Sequence, residues 1–291
     1  MPNTKTLDHI VHLTPPGTVE QTSKQFQELG FRVLPGGIHA DGLTENSLVV
    51  FADGVYLELI SFTHPASHYP PGSPGRIKRD SHPWSSRSPG WIDFAFLGNG
   101  SRSESIAHII NQRGREEGSS LRYAVEQDGG RTRRDGQVLK WLISAPPINR
   151  RGLLPFFCGD VTSRSLRVPS EPPSNTEHAS TARGIAFVRI LVEEALYTQV
   201  SKELISVVGI PPIPMTPNES FWELDTYYEG VSAPNAAARL FLTTATTEAE
   251  VAFLATASEA GSGIYEVGFR VQSKKTEADT TPYGKISWVL G

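Results

Sequence analysis

Two polar side chains stand inside apolar, β-rich segments near the N-terminus. His9 lies in Leu7–Leu13, and Glu58 lies in Tyr56–Ile60. A carboxylate in so apolar a strand is costly unless a cation or a hydrogen-bond donor compensates it. An imidazole and a carboxylate are also ordinary ligands for Zn, Fe, Mn, Ni or Co, and such a metal polarises two adjacent substrate oxygens. The pair is therefore predicted to contact a metal or a substrate, the alternative being a hydrogen-bonded core histidine and an arginine-paired Glu58.

Further candidates for ligand contact lie in segments predicted to be loops or hairpins. For His82 the alternative is a loop residue packed on the neighbouring Trp84. Arginines cluster at 131–134 in a predicted hairpin loop and again at Arg164 and Arg167. A guanidinium beside an apolar, aromatic pocket binds a carboxylate, enolate or phenolate, whereas most arginine clusters in hairpin loops are only solvated. The predicted lining of the cavity mouth is His39, His82, Trp84, Arg131, Arg134 and Trp141.

Two other features are interpreted as structural. Cys158 lies in an apolar strand with no neighbour that would lower its pKa, so it is assigned to the core. Since Cys158 is the single cysteine, no intrachain disulfide forms. The glycine pairs at 36–37 and 129–130 match no phosphate-binding pattern, because neither lies between a strand and a helix at the required spacing.

The composition restricts the class of protein. The chain has 291 residues, of which 38% are hydrophobic and 20% charged, values that are ordinary for a globular protein. A net charge of −4 gives no overall attraction to nucleic acid or to an anionic membrane. No apolar run is long enough to span a bilayer, and the N-terminus lacks the apolar segment of a signal peptide. We expect a soluble cytoplasmic protein whose partner is a small molecule and which binds neither nucleic acid nor membrane.

The elements that must position these residues recur in one order. In the first unit, Leu7–Leu13 is a predicted strand, Thr18 caps a helix that ends at Gly30, and Phe31–Leu34 is a second strand. Pro35, Gly36 and Gly37 are predicted to separate that strand from the next. The strands Ser47–Phe51 and Val55–Phe62 follow, joined by a tight turn at Ala52-Asp53-Gly54.

The same order of strand, helix and strands starts again at Trp91 and at Gly184. The second unit is predicted to contain the strands Trp91–Leu97, Leu121–Val125, Val138–Ala145 and Leu153–Cys158, with a helix over 103–113. The third is predicted to contain the strands Gly184–Val192, Phe221–Tyr228, Arg239–Thr244 and Ile264–Val271, a helix from Ala195 to Val208, and a short helix over 247–257. The chain is thus predicted to contain three modules, over 1–65, 91–168 and 184–272. A Pro/Gly-rich connector over 66–90 and a linker over 169–183 separate them. A tail over 273–291 follows, in which Lys285–Leu290 could add an edge strand.

Six stretches carry a resemblance to a known family. They are Leu7–Val11, the loop with Gly36, Gly37, His39 and Asn46, Tyr56–Ile60, Gly90–Asp93, the segment from Gly129 to Trp141, and Leu154–Phe157. Their order and spacing resemble the glyoxalase-like domain of the vicinal oxygen chelate superfamily over Leu7 to Arg167. The resemblance implies an α+β fold in which βαβββ modules pair into curved mixed sheets around an open cup, with units one and two sharing that cup. It also implies a divalent metal held by His, Gln or Glu from the first and last strand of each module, and it is compatible with a homodimer.

The sequence departs from this ligand pattern after the first unit. The second unit offers only Asp93 in its first strand and no ligand in Pro155–Phe157, and the third offers only Glu266. The predicted metal ligands are therefore His9 and Glu58, with His39 as a third.

Two classes of function follow for this cup. The first is a metal-assisted lyase, isomerase or cyclase that acts on a small oxygenated, aromatic or polyketide-like substrate of secondary metabolism through His9 and Glu58. The second is a metal-free binding protein or cyclase that uses arginine and aromatic side chains. Catalysis without a metal would need a buried Glu58 with a raised pKa as the general base. His9 would then be the partner of Glu58 or the acid. The scaffold alone does not choose between them, because it also hosts epimerases, dioxygenases and antibiotic-sequestering proteins.

Overall fold

The computed structural model describes residues 2–133, 135–227, 237–256, 262–273 and 279–291. The strands are β1 Leu7–Thr14, β2 Leu34–Ile38, β3 Thr44–Val50, β4 Tyr56–Phe62, β5 Gly90–Leu97, β6 Gln127–Thr132, β7 Val138–Ser144, β8 Phe156–Asp160, β9 Ala182–Val192, β10 Ile213–Thr216, β11 Glu219–Leu224, β12 Ala238–Thr244, β13 Gly263–Val271, β14 Asp279–Thr281 and β15 Gly284–Leu290. The helices are α1 Val19–Glu28, α2 Pro74–Asp80, α3 Ile106–Glu116, α4 Arg164–Arg167, α5 Glu194–Val208 and α6 Glu248–Thr256.

The first two units share one eight-stranded mixed sheet. Its order is β2-β3-β4-β1-β5-β8-β7-β6, so the two units join where β1 runs antiparallel to β5. Within each unit the first strand is parallel to the last, β1 to β4 and β5 to β8. The two ends of the sheet approach each other, because His39 bridges to Arg131 and the Ala40 amide donates to the Gly130 carbonyl at 3.0 Å. The sheet therefore curls into a cup, which confirms the predicted α+β fold of repeated βαβββ modules.

Strand β1 is buried along its whole length because both faces of the sheet are covered. Val11 and Leu13 belong to the apolar cluster inside the cup, with Ile60 of β4 and Phe156 of β8. Ile10, on the opposite face, belongs to the large core outside the cup, to which helices α1, α3 and α5 contribute. The alternation of side chains along a strand thus separates a cup interior from a structural core.

A second, seven-stranded sheet packs against the outer core. Its order is β10-β11-β12-β9-β13-β15-β14, with β9 parallel to β12, antiparallel to β13, and β13 parallel to β15. This repeats the arrangement of β1, β4, β5 and β8. The rings of Phe31 and Phe269 lie 4.9 Å apart and join the two halves of the chain.

Several predicted elements of the first two units are wrong in detail. Phe31–Leu34 forms a strand only from Leu34 onward, and the Pro35-Gly36-Gly37 run lies within β2, which as an end strand tolerates proline and glycine. Leu121–Val125 is not a strand, although Leu121 and Tyr123 are buried as its alternation implies. The pairing strand β6 begins at Gln127, so Arg131 lies in a strand and not in a hairpin loop.

The C-terminal part also differs from the prediction. Strand β11 ends at Leu224, and Tyr228 lies outside the described residues. Strand β10 was not predicted. Segment 285–290 forms β15, but it lies between β13 and β14 and is therefore no edge. In the second sheet, strand β13 occupies the position that β5 occupies in the first. The predicted boundaries of the modules and of the tail stay a prediction.

The predicted connector covers one side of the cup. It contains α2, whose N-cap Ser73 accepts a hydrogen bond from the Arg76 amide. The Arg79 guanidinium lies 3.2 Å from the centre of the Phe62 ring at the end of β4. No helix within the described residues is long and apolar enough to cross a membrane.

Candidate functional site

His9 and Glu58 lie on the same face of two neighbouring strands. In the parallel pair of β1 and β4, His9 is opposite Tyr56, and Val11 is opposite Glu58. Directly paired residues point to the same face of a sheet, so His9, Tyr56 and Glu58 all face the cup. This placement follows from strand alternation, as the sequence predicts.

The cup encloses a cavity of about 750 Å³. The sequence-predicted residues His9, Glu58, His39, His82, Trp84, Arg131 and Trp141 all line it. Arg134, which was also predicted, lies outside the described residues. The structure thus brings the described candidates together, and their individual roles stay predictions.

The orientation of His9 is set by its neighbour in sequence. His9 Nδ1 lies 2.6 Å from Asp8 Oδ2. A carboxylate can only accept at this position, so Nδ1 carries a hydrogen and Nε2 is the ring nitrogen that faces away from Asp8. That Nε2 lies 3.8 Å from Glu58 Oε2, towards the cavity. Stacking on the Tyr56 ring, with centroids 4.6 Å apart, holds the imidazole in place.

Asp8 is itself fixed by two arginines that follow β8. Arg164 binds Asp8 Oδ1, and Arg167 Nη1 donates to Asp8 Oδ2 at 2.8 Å. Arg167 also donates to Asp160 at 2.6 Å through Nε and to the Tyr56 hydroxyl at 2.8 Å. Burial by itself raises the pKa of Asp8, but the two guanidinium groups outweigh it and hold that pKa well below its ordinary value. Asp8 is therefore a permanently charged acceptor behind His9.

Glu58 is held as a carboxylate by donors from β2 and β3. Asn46 Nδ2 donates to Glu58 Oε1 at 2.6 Å, and His39 Nε2 lies 3.5 Å from the same oxygen. The Asn46 amide orientation is fixed because its Oδ1 accepts from the Gly37 amide at 3.1 Å. Burial raises the pKa of Glu58, but His39, with His9 and Asn46, outweighs burial and lowers the pKa from 4.5 to about 2. The expected raised pKa of Glu58 is therefore wrong, while its part in catalysis stays a prediction.

His39 links the two ends of the curled sheet. Its Nδ1 lies 2.7 Å from Thr44 Oγ1, so both ring nitrogens have polar neighbours. Its ring meets that of Trp141 edge-on, with centroids 6.1 Å apart. Trp141 lies over Gly129 of the adjacent strand, where an added Cβ would come within 2.2 Å of Trp141 Nε1. Gly129 therefore makes room for an indole in the cup wall.

The opposite wall is aromatic and contains a buried ion pair. Trp84 Nε1 donates to Asp93 Oδ2 at 2.9 Å, and Arg151 Nε donates to the same oxygen at 2.6 Å. Phe156 lies beneath the Arg151 guanidinium at 4.5 Å. Asp93, the polar residue expected in the place of His9, is thus fully engaged, and Ala95 stands opposite His9 instead. This wall therefore offers an aromatic contact surface for a ligand, while its carboxylate, Asp93, is already paired.

His82 is both a packing residue and part of the lining. Its ring lies 5.0 Å from that of Phe62 and 5.3 Å from that of Trp84, and its Nδ1 accepts from the Trp84 amide at 3.2 Å. Burial lowers the pKa of His82 to about 4, so the ring is neutral at physiological pH. Packing on Trp84, the alternative considered for this residue, is what the structure shows.

Arg131 points into the cup because it is paired with Leu139, a residue of the inner cluster. Only 4% of its surface is exposed. Nη2 lies 3.5 Å from the Arg167 carbonyl, while Nη1 is buried without a hydrogen-bond partner among the described residues. Burial lowers the pKa of Arg131, and nearby Tyr56 and Glu58 oppose that effect. A buried guanidinium nitrogen of this kind is chemically suited to an anion, and the role of Arg131 stays a prediction.

The divalent metal implied by the resemblance is not matched by the donors. His9 and His39 approach different oxygens of Glu58, and next to His9 the second unit presents Ala95 and then Phe156. Within the described part of the chain, no three His, Cys, Asp or Glu side chains are grouped so as to hold a metal ion. These residues therefore do not fit a resident metal. Metal binding by His9, Glu58 and His39 stays a prediction.

Sequence reasoning missed the residues that orient the candidates. Asp8 precedes His9 directly, and Asn46 belongs to the first-unit stretches that carry the resemblance, so both were visible without an assigned role. Tyr56 was interpreted as an apolar residue of a predicted strand. The contacts of Arg164 and Arg167 with Asp8 span more than 150 residues and left no local signal.

Comparisons with known proteins support the fold described above. A family model described as a glyoxalase-like domain matches residues 7–205, which extends beyond the predicted span into the third unit. A hypothetical protein from Staphylococcus aureus is similar in structure, with 12% identity over 98% of this chain and 99% of that chain and a TM-score of 0.66. A mutant of 4-hydroxymandelate synthase from Streptomyces coelicolor is 11% identical over 94% of this chain and 72% of that chain, with a TM-score of 0.51.

At these identities the two solved structures bear on the fold alone. A search of curated proteins found no match. The family model, by contrast, covers well over half of the chain. The chain therefore belongs to the glyoxalase-like domain family and has the fold of the vicinal oxygen chelate superfamily.

Proposed function

We propose that this protein is an enzyme that moves a proton on a small oxygenated substrate bound in the cup, as a lyase, isomerase or cyclase does. The superfamily includes enzymes, so the proposal concerns the reaction type and the residues. The observation that supports it is the line Asp8–His9–Glu58. A buried carboxylate binds one nitrogen of His9 at 2.6 Å, and the other nitrogen faces the cavity beside a second carboxylate.

The two predicted catalytic residues take different parts in this reaction. Glu58, with a pKa of about 2, is too weak a base to remove a proton from carbon near neutral pH. We therefore assign the base to His9 Nε2, the ring nitrogen that Asp8 does not hold. When Nε2 takes a proton the ring becomes an imidazolium, which Asp8 stabilises on one side and Glu58 on the other. The same imidazolium then returns the proton to the product or to a leaving group.

The cavity supports a compact substrate with an apolar, planar part. Its volume of about 750 Å³ lies within the range for small-molecule sites, roughly 300–1,000 Å³. Trp84, Trp141 and Phe156 supply flat contact surfaces, and Arg131 supplies a donor for an anionic oxygen. An oxygenated aromatic or polyketide-like acid matches these contacts.

A metal-assisted form of this reaction is the alternative that elemental analysis tests. Proteins of this superfamily commonly use divalent metals, and the predicted ligands here are His9, Glu58 and His39. Their arrangement around Glu58 does not support it, as described above. A metal-free binding protein is the second candidate, supported by the largely aromatic and aliphatic lining of the cup.

Deuterium exchange separates an enzyme from a binding protein. The purified protein is examined by native mass spectrometry for a co-purified ligand, and that ligand and its carbonyl-containing analogues are incubated with the protein in D₂O. We expect the wild-type protein to exchange the hydrogen next to a carbonyl, and the His9→Gln variant to bind the same compound without exchange. Binding with no exchange and no turnover by the wild-type protein would support the binding-protein alternative instead.

A further inference from the structure

Arg131 and Tyr56 are buried polar groups of the cup wall that the proton transfer by His9 leaves unused. Each is only 4% exposed, and both line the cavity. Nη1 of Arg131 has no hydrogen-bond partner among the described residues. A buried donor left without a partner is destabilising, and more so when the group is charged. A ligand oxygen would remove that cost.

The Tyr56 hydroxyl offers a second hydrogen-bond donor. Among the described residues, the Tyr56 hydroxyl makes one hydrogen bond, which it accepts from Arg167 Nη1 at 2.8 Å. A phenolic hydroxyl both accepts and donates, so its own hydrogen remains free to be donated into the cavity. The bond from a guanidinium withdraws electron density from the oxygen and makes that hydrogen a stronger donor.

The two donors lie close to the base. The Tyr56 ring stacks on the His9 ring with centroids 4.6 Å apart and an interplanar angle of 21°. Arg131 Nη2 lies 3.5 Å from the carbonyl of Arg167, the residue whose Nη1 donates to the Tyr56 hydroxyl. Arg131, Tyr56 and His9 thus line one cavity, with Arg167 next to both donors.

We infer that Arg131 Nη1 and the Tyr56 hydroxyl form an oxyanion site for the carbonyl oxygen of a substrate with an acidic hydrogen on the adjacent carbon. This inference rests on the proposed function and names its substrate class. The C–H bond breaks and its proton goes to His9 Nε2. The electron pair forms the C=C bond of an enolate, and the former carbonyl oxygen takes the negative charge between Arg131 and Tyr56. Return of the proton from His9 to the same carbon, or to a leaving group that departs from the next carbon along, completes the reaction without an oxidant or reductant.

The test uses a stable oxyanion in place of the unknown substrate. The full-length protein is titrated with 4-nitrophenolate and, as its neutral counterpart, 4-nitrotoluene, by calorimetry and absorbance. We expect the wild-type protein to prefer the phenolate, and Tyr56→Phe and Arg131→Met each to weaken phenolate binding about 10- to 100-fold while leaving 4-nitrotoluene unchanged. Tyr123→Phe is the matched control, because the Tyr123 hydroxyl donates to the Pro155 carbonyl and does not line the cavity.

The outcomes separate this inference from the proposed function. If Tyr56→Phe and Arg131→Met both bind the phenolate as the wild-type protein does, the oxyanion site is wrong, whatever His9→Gln does to deuterium exchange. If both variants lose the phenolate but the wild-type protein shows no exchange, the anion site stands and the proton-transfer function fails. Phenolate loss together with a lower kcat for exchange in both variants, at a melting temperature equal to that of Tyr123→Phe, supports both.

Discussion

Asp8 Oδ2 and His9 Nδ1 lie 2.6 Å apart in the buried wall of the cup, although the two residues are adjacent in the chain. Neighbouring residues of a strand normally point to opposite faces, but the pairing of β1 with β5 shifts register between Leu7 and His9, and Asp8 lies in this irregularity. Arg164 and Arg167 hold Asp8 from the other side. The contact fixes which nitrogen of His9 is free, and this determines the chemistry that His9 can perform.

Replacing His9 by glutamine should remove turnover and leave the fold intact. Glutamine can still donate to Asp8, which keeps its two arginine partners, but it has no basic nitrogen. We expect kcat in the deuterium-exchange assay to fall about 10²- to 10⁴-fold, the usual contribution of a general base. Near-normal exchange with a correctly folded His9→Gln protein would show that another group is the base.

The Glu58→Gln variant should lose activity while it remains folded at neutral pH, with a lower melting temperature. Asn46 can still donate to the remaining oxygen of the side chain, while the negative charge facing His9 and His39 is removed. We expect kcat to fall about 100-fold because the imidazolium formed on His9 loses a stabilising charge. The melting temperature, measured by differential scanning calorimetry, monitors the fold, and unchanged kcat would exclude a catalytic role for Glu58.

Glu58 should also make the folded state sensitive to acid. Its pKa is about 2 in the folded protein against 4.5 ordinarily, so the unfolded state binds more protons between these values. Stability from Glu58 is therefore fully present above pH 4.5 and is lost as the pH falls towards 2. The pKa difference corresponds to about 3 kcal/mol, since each pKa unit is worth ~1.4 kcal/mol.

Urea unfolding of the wild-type protein and of Glu58→Gln across that pH range measures this effect. The wild-type protein should lose more stability than the variant as the pH falls. Glu20→Gln is the control, because the exposed Glu20 pairs with Lys24 on the surface of α1. Parallel pH profiles of the wild-type and Glu58→Gln proteins would contradict a strongly lowered pKa.

A methyl group at position 129 should reshape the cavity. In Gly129→Ala the new Cβ would come within 2.2 Å of Trp141 Nε1, so the indole must move. We expect weaker ligand binding and altered tryptophan fluorescence. Gly114→Ala is the control, since an added Cβ there meets its nearest neighbour, the Leu121 carbonyl oxygen, at 3.5 Å and α3 lies outside the cup. Unchanged binding in Gly129→Ala would show that Trp141 does not contact the ligand.

Elemental analysis decides the metal hypothesis. Because His9, His39 and Glu58 do not group as metal ligands, we expect purified protein to contain less than one equivalent of Zn, Fe, Mn, Ni or Co. Chelator treatment should then leave deuterium exchange unchanged. A stoichiometric metal that is lost in His9→Ala and Glu58→Gln would instead establish the metal-assisted form.

The local pattern of the sequence determined the elements on which the site is built. Period-two alternation placed His9 and Glu58 on one face of their strands, and the Asp53-Gly54 turn joined β3 to β4 as expected. These features depend on neighbours in the chain, so they can be inferred without knowledge of distant contacts. The family resemblance added that the first two units share a cup.

Only the tertiary structure decided what surrounds those residues. Arg131 lies inside the cup because β6 meets the end of β2 when the sheet curls, whereas its own segment looked like a hairpin loop. The pKa of Glu58 is low because His39 and Asn46, brought in by β2 and β3, compensate for its burial. Burial alone would have raised it. The sequence determined which charged groups enter the core, and long-range strand pairing decided which partners stabilise their charges.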